Sequence, residues 1–277
     1  MNYQKQIDQV TAYWSARPCN SRHSRANIDA EPGRYHWEVS RRKGRVEPHL
    51  FRFAELDRWH GKQVLDLGCG IGTESLAFAA SGAHVTGLDL SRASVDIAIK
   101  RAAAAGLLGR AMFYVADMEA EPLPDEWGSY DLVWAWGSVH HTPHPAIAVW
   151  NAAEYLASGG ELRLMVYHRL STKALRLWAR AGFPRDFDAA VAKGSEAQPG
   201  CPITHTYTRS SARRLVEGAG LRVESIEVDH IFPWDGHAYG RHEYVKGWPW
   251  RWLPGWLFRR LERVLGWHLM VVARRGE

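Results

Sequence analysis

No stretch of the chain reaches 18 consecutive apolar residues, so nothing in it reads as a membrane-spanning helix. Cysteine is scarce: Cys19, Cys69 and Cys201 are the only three in 277 residues. Three thiols without paired spacing build neither a disulfide framework nor a thiolate metal site. The opening residues Asn2 to Asp8 are polar and lack the apolar core of a secretory signal, so the chain is read as reduced and cytoplasmic. A shortage of apolar residues, the mark of disorder, is not found either. With 46% hydrophobic and 23% charged residues, the chain suits one large α/β domain carrying insertions.

The formal net charge is +5. Part of it is concentrated in Arg34, Arg41, Arg42, Lys43 and Arg45, and again in Arg259, Arg260 and Arg263. Between Gly61 and Gly160 acidic and basic residues are mixed, so nucleic acid is not the expected partner; a solvated surface or an acidic small molecule accounts for the clusters. What is abundant is tryptophan, 14 residues, whose flat apolar area with one donor suits pockets, interfaces and membrane belts as well as cores.

Along the chain, Ile7, Val10, Tyr13 and Trp14 make a helical stripe over 3–16, and a polar, basic stretch follows to about Val46. Glu47-Pro48 opens a second helix. From Lys62 short apolar runs alternate with helical segments. Strands are predicted at Gln63–Leu67, His84–Asp89, Met112–Asp117, Tyr130–Trp136 and Gly160–Tyr167. Ser91 is placed as a helix cap, and Gly82 as a helix stop. This alternation predicts an α/β fold with a doubly wound, mostly parallel sheet. After a helix at about 209–218 come strands at 221–231 and 268–273. Residues 1–60 read as an N-terminal helical lid, 61–277 as the main domain, and about 168–208 and 232–266 as insertions without strands of their own.

Three features coincide after the first strand. Gly68, Gly70 and Gly72 let the backbone turn tightly and a ligand lie against it. The helix that follows offers unpaired N–H groups to an anionic ligand. Asp89, ending the second strand, can accept from two ribose hydroxyls. Together they specify a nucleoside-bearing cofactor. A dinucleotide fingerprint would need Gly or Ala where Thr73 stands. Asp66, two residues before the first glycine, can instead reach the amino or sulfonium side of a methionine moiety. Asp117 is set to accept from an adenine amino group, with Met118 packing on the ring. The cofactor favoured is S-adenosylmethionine.

Val64-Leu65-Asp66-Leu67-Gly68-Cys69-Gly70-Ile71-Gly72 resembles the first motif of class I S-adenosylmethionine-dependent methyltransferases. Gly87-Leu88-Asp89-Leu90-Ser91, Ala116-Asp117-Met118 and Tyr130-Asp131-Leu132-Val133 resemble the later ones, and Gly137 to His141 is similar to the strand-four exit of the small-molecule branch. The resemblance covers about 61–168 and, more loosely, 203–231 and 267–274. It implies a Rossmann-like seven-stranded sheet, with the last strand antiparallel between strands five and six. It also implies methyl transfer to a small molecule and release of S-adenosylhomocysteine. Asp66, Gly68, Cys69, Gly70, Gly72, Asp89, Leu90, Asp117, Met118 and Trp136 are then the expected cofactor contacts.

His140 and His141, in the loop bordering the transfer site of that family, are the candidate bases, since imidazole titrates near neutrality. No Cys or carboxylate joins His140, His141 and His144 at a usual ligand spacing, so no metal is assigned. Trp14, Arg17, Asn20 and His23 from the lid, and Tyr167, His168, His205 and Tyr207 from the sheet edge, are expected on the substrate side. Arg41, Arg45, Glu47 and His49 are further lid candidates. Around 248–267, Trp248, Trp250, Trp252, Trp256 and Trp267 accompany an apolar face of Leu253, Leu257, Leu261, Val264 and Leu265 and the face of Arg259, Arg260 and Arg263. That pattern fits an interfacial membrane helix, and equally a helix roofing a pocket, which is the commoner outcome. An acceptor that is a membrane lipid or quinone is therefore an alternative, as is a non-catalytic cofactor-binding protein. The acceptor atom and oligomeric state are not legible.

Overall fold

Strands buried on both faces fix the middle of the molecule. In the computed structural model, which describes residues 2–120 and 129–276, β1 (Gln63–Leu67), β2 (His84–Asp89), β4 (Tyr130–Trp136) and β5 (Leu156–His168) are buried over most of their length. Near-continuous apolar runs of this kind belong to parallel sheets covered by helices on both sides. β3 (Ala111–Val115) instead alternates at its start, as an edge strand does, burying Ala111 and Phe113 while Met112 is exposed. β7 (Arg222–Asp229) forms the opposite edge, next to β8 (His268–Arg274). The strand order is β3-β2-β1-β4-β5-β8-β7, and β8 runs antiparallel to both β5 and β7. The antiparallel last strand inserted beside strand five is where the resemblance to methyltransferases implies it.

The helices fall on two sides. α3 (Pro48–Ala54), α4 (Thr73–Ala80), α5 (Arg92–Ala104), α7 (Thr172–Arg180) and α8 (Phe187–Ser195) close one apolar cluster with Phe53, Phe78, Val95, Ala174 and Val191. α6 (Pro145–Glu154) and α9 (Arg209–Glu217) close the other with Val149, Ala152, Ala212 and Val216. The predicted cap is present: the Ser91 hydroxyl accepts from the Ser94 N–H at 3.2 Å.

Two expectations change. The polar, basic stretch before Val46 is a helix, α2 (Pro32–Val46), with Pro32 at its first turn and Tyr35, Val39 and Val46 buried. Its buried face is completed by Arg42 and Lys43, whose aliphatic stems hid the periodicity. The 168–208 insertion does contribute a strand, the two-residue β6 (Thr206–Tyr207), which pairs parallel with Tyr167 and His168.

α1 (Tyr3–Ala16) lies over the carboxyl edge of the sheet, α10 (Gly236–Gly240) follows β7, and α11 (Gly255–Leu265) precedes β8. α11 buries Phe258, while Trp256 and Val264 face out. No helix among the described residues is long and apolar enough to cross a membrane.

Candidate active site

The chain leaves β1 towards β2 and β3 and returns to β4 on the other side, so the strand order reverses between β1 and β4. Ligands of open α/β sheets bind outside the carboxyl ends at such a switch point. Here the gap is framed by the glycine loop after β1 and by Gly137-Ser138 after β4, with the Ser138 hydroxyl donating to the Leu67 carbonyl at 2.6 Å. Gly68 has φ +75°, and a Cβ there would stand 2.2 Å from Ser138 Cβ. No other residue fits that turn without shifting the second loop. At Gly70 a Cβ would meet nothing within 4 Å, so open space lies above the loop. Asp89 anchors this cradle: its carboxylate accepts from the Gly70 N–H and the Ser91 N–H, each at 2.8 Å.

The cradle opens into a cavity of about 1080 Å³. That exceeds the roughly 300–1,000 Å³ of a site for one drug-sized ligand. Among the predicted cofactor contacts, Gly68, Cys69, Gly70, Asp89, Leu90, Asp117, Met118 and Trp136 line it. Gly72 is behind the loop against Ala98 and Phe113. Asp66 is also behind it, buried and accepting from the Ser75 hydroxyl. Burial, with Glu74 nearby, pushes the Asp66 carboxyl up to about 8. It therefore sits under the cradle rather than on its surface. Asp117 Oδ2 accepts from Tyr3 Oη at 2.6 Å, which ties the start of α1 to the cofactor end of the cavity.

Of the candidate substrate-binding and catalytic residues, Trp14, Asn20, His23, His141 and Tyr167 line the cavity. His140 does not: it is fully buried, packed at a tilt against Tyr167 with ring centres 3.9 Å apart, and burial holds it well below the usual imidazole range. Arg17 turns instead to the Ala197 carbonyl at 3.4 Å. His168 is buried with Nδ1 at 3.1 Å from the Gly266 carbonyl. The His205 N–H donates to the His140 carbonyl, and Tyr207 packs into the core beside β5, so neither reaches the cavity wall. The reason is the short β6 pairing, which turns these residues along the sheet edge instead of across it.

His141 is placed differently. Its Nδ1 is 2.8 Å from the Ile203 carbonyl, and its Nε2 lies 3.5 Å from Glu196 Oε1, an ion-pair contact. Tyr167 Oη donates to the same Glu196 oxygen at 2.7 Å. Burial alone would lower the imidazole, but Cys201 and Glu196 outweigh it and raise His141 to about 10. Glu196, despite its own burial, is held near 2 by His141 and Lys173. The pair is an imidazolium and a carboxylate at neutral pH.

The sequence did not point to Glu196, Lys173 or Arg176, all of which line the cavity. Nor did it join His230 and His268 to Glu47 and His49. Glu47 accepts from Trp136 Nε1 at 3.1 Å and pairs with Lys43 Nζ at 3.0 Å; Lys43 also reaches Glu74 at 3.3 Å. Burial pushes His230 down to about 3 and lowers His49 and His268, so this group of imidazoles is neutral. No local spacing signals such a cluster, because its members come from opposite ends of the chain.

Residues 64–160 match the family described as "Methyltransferase domain". The chain is similar to 27-O-demethylrifamycin SV methyltransferase of Amycolatopsis mediterranei, 39% identical over 105 residues, which are 38% of each chain. It is similar also to the ubiquinone biosynthesis O-methyltransferase of Aeromonas salmonicida, 29% identical over 62% of this chain and 68% of that one. The chain thus spans about two fifths and two thirds of these relatives' lengths. In fold it resembles magnesium protoporphyrin IX methyltransferase from Synechocystis PCC 6803, with a TM-score of 0.57, 15% identity and coverage of 98% of this chain and 97% of that one. The domain match over residues 64–160, with the glycine loop, the strand-end carboxylates and the inserted antiparallel strand, shows a methyltransferase domain in this chain with the architecture of the class I S-adenosylmethionine-dependent methyltransferases.

Proposed function

We propose that the protein transfers a methyl group from S-adenosylmethionine to a small-molecule acceptor. The observation that carries this reading is the sharing of one cavity by the glycine cradle, Asp89 and Asp117 at one end and His141, Tyr167 and Glu196 at the other. Bound S-adenosylmethionine supplies an already activated methyl group, so the work left to the chain is alignment and the exclusion of water. The Gly68–Gly72 loop and Asp89 would hold the nucleoside and methionine parts, with Asp117 and Met118 at the adenine end. Trp14, Tyr167 and Trp267 would bracket a flat acceptor. His141, carrying its proton, is suited to steady negative charge on an acceptor atom rather than to act as a base at neutral pH. Lys173 and Arg176 on the same wall favour an acceptor with a carboxylate or phosphate. The N-terminal helices would serve as the lid. The free cysteines Cys19, Cys69 and Cys201 suit a reducing, cytoplasmic setting.

The test is incubation with cofactor carrying a labelled methyl group and an extract of the source organism, followed by counting the aqueous, organic and precipitated fractions. Label in a small molecule supports the reading. Label confined to precipitated macromolecules overturns it.

A second reading has its own observation. Trp248, Trp252 and Trp256 are 78%, 71% and 64% exposed beside Arg251, Arg259 and Arg260, and Trp248 also lines the cavity. Tryptophan and arginine at a cavity mouth suit docking to a membrane that holds a lipid or quinone acceptor. Label in the organic phase, together with vesicle pelleting that Trp256→Ala abolishes, supports this version; absence of pelleting removes it.

A further inference from the structure

Opposite the cofactor cradle, the wall of the cavity carries an unusual group of polar side chains. Glu47 and His49 come from the junction of α2 and α3, His230 from the end of β7, and His268 from the start of β8. His49, His230 and His268 are all buried. His49 Nε2 and His268 Nδ1 face each other at 2.8 Å, and the ligand atoms of Glu47, His49 and His268 all lie within 4.8 Å of one another. The His230 ring stacks on His268 at 4.6 Å and on His49 at 5.0 Å. His230 holds this place at φ +72°, a conformation disfavoured for a residue with a side chain.

Burying imidazoles and a carboxylate side by side costs free energy unless each finds a partner. His49 and His268 share one hydrogen bond and Glu47 is held by Trp136 and Lys43, and a cation between the imidazoles would take over the same nitrogen atoms together with the carboxylate. Zinc-like ions bind imidazole nitrogen and carboxylate oxygen at about 2.0–2.2 Å, which sets neighbouring ligand atoms roughly 3 Å apart. The His49–His268 spacing is already close to this, and a side-chain rotation of Glu47 closes the remaining gap. The outer contacts also resemble those that orient metal ligands: Trp136 and Lys43 fix the Glu47 carboxylate, and Arg52 pairs with Asp229 beside His230 at 2.7 Å.

We propose that Glu47, His49 and His268 form a binding site for one first-row divalent cation of zinc-like ligand preference. Two imidazoles and one carboxylate suit such an ion better than magnesium or calcium, which take oxygen ligands. Glu47, His230 and His268 line the cavity, so the open coordination positions face the acceptor, where the ion would hold an acceptor oxygen. That role rests on the methyl-transfer reading; the site itself does not.

The experiment titrates cobalt(II) into chelator-stripped, tag-free protein, followed by visible d–d absorption and by metal content after desalting. One equivalent should bind, zinc should displace it, and the His49→Gln and His268→Gln variants should bind at least about tenfold more weakly. Melting curves check that the variants fold. If either fails to fold, Glu47→Gln, which keeps the side-chain volume, takes its place with the same expected loss. Cobalt that does not bind to the parent protein, or binds equally to the folded variants, overturns the site. S-adenosylmethionine binding is measured calorimetrically on the same samples. Its absence alongside intact cobalt binding would fault the methyl-transfer reading alone.

Discussion

At the scale of single residues, Asp89 and His141 show how one side chain can be asked a definite question. Asp89 is the joint of the cradle, bonded to the N–H groups of Gly70 and Ser91, and it lines the cavity where a ribose would lie. Hydrogen bonds to a charged group contribute about 1.5–3 kcal/mol each, and 1.4 kcal/mol is tenfold in affinity. Asp89→Ala should therefore weaken S-adenosylmethionine binding at least about tenfold in a calorimetric titration while the protein remains folded. An unchanged affinity would displace the cofactor from this cradle. His141 and Glu196 make a prediction about pH. The imidazole is raised from 6.5 to about 10, so its contribution to stability is fully present below 6.5 and is lost as pH rises through 10. The carboxyl is depressed from 4.5 to about 2, so its contribution is present above 4.5 and is lost as pH falls through 2. Both are complete between 4.5 and 6.5. The melting temperature lost on His141→Gln should be largest in that window and should shrink towards pH 10.

At the scale of elements, α1 is the segment whose behaviour most directly reports ligand binding. It is fastened at its ends: Tyr3 donates to Asp117, Ser15 donates to the Ser91 hydroxyl at 3.1 Å, and Tyr13 donates to the Gln198 carbonyl. Its buried residues are Ile7 and Val10, and both line the cavity. A helix held by so little apolar burial opens locally at low cost. Amide hydrogen exchange in residues 3–16 should be fast without ligand and should slow when S-adenosylmethionine is added, more than exchange in α6. Equal protection in both states would show that α1 is a fixed wall and not a lid. The same elements show what a sequence can reveal. β1, β2, β4 and β5 were legible because burial on both faces leaves apolar runs between turn residues, and Gly68 to Asp89 form a signal within one crossover. α2 was not legible, since part of its inward face is Arg42 and Lys43, whose charged ends meet Tyr239 and Glu47. The Glu196–His141 pair and the Glu47, His49 and His268 group were hidden for a different reason. Glu196 is remote in sequence from His141 and reaches it from the segment after α8, and His268 joins Glu47 and His49 because β8 inserts between β5 and β7.

At the scale of the whole molecule, the same insertion couples both ends of the chain to one cavity. Residues of α1 and α2 form one side, the β1 and β4 loops the floor, and the segments around His230, Trp248 and Trp267 the other side. The base of the sheet is secured separately by the buried Glu161, which pairs with Arg163 at 2.6 Å, Arg58 at 2.8 Å and Arg274 at 3.2 Å. Cofactor bound at the carboxyl edge would thus touch parts that otherwise share few contacts, and its binding energy would add to the stability of the folded chain as a unit. A ligand that binds only the folded state at 100 times its dissociation constant adds about 2.7 kcal/mol. For a chain of this size 1 kcal/mol moves the melting temperature by about 2–4 °C, so saturating S-adenosylmethionine should raise it by roughly 5–10 °C. The transition should stay single, because lid, sheet and C-terminal segment would be bound together. Asp89→Ala should remove most of the rise, whereas His49→Gln, on the opposite wall, should keep it. A rise that survives Asp89→Ala would mean that the cofactor binds elsewhere in the cavity. A split transition would mean that the N-terminal helices melt apart from the sheet and do not close over the ligand.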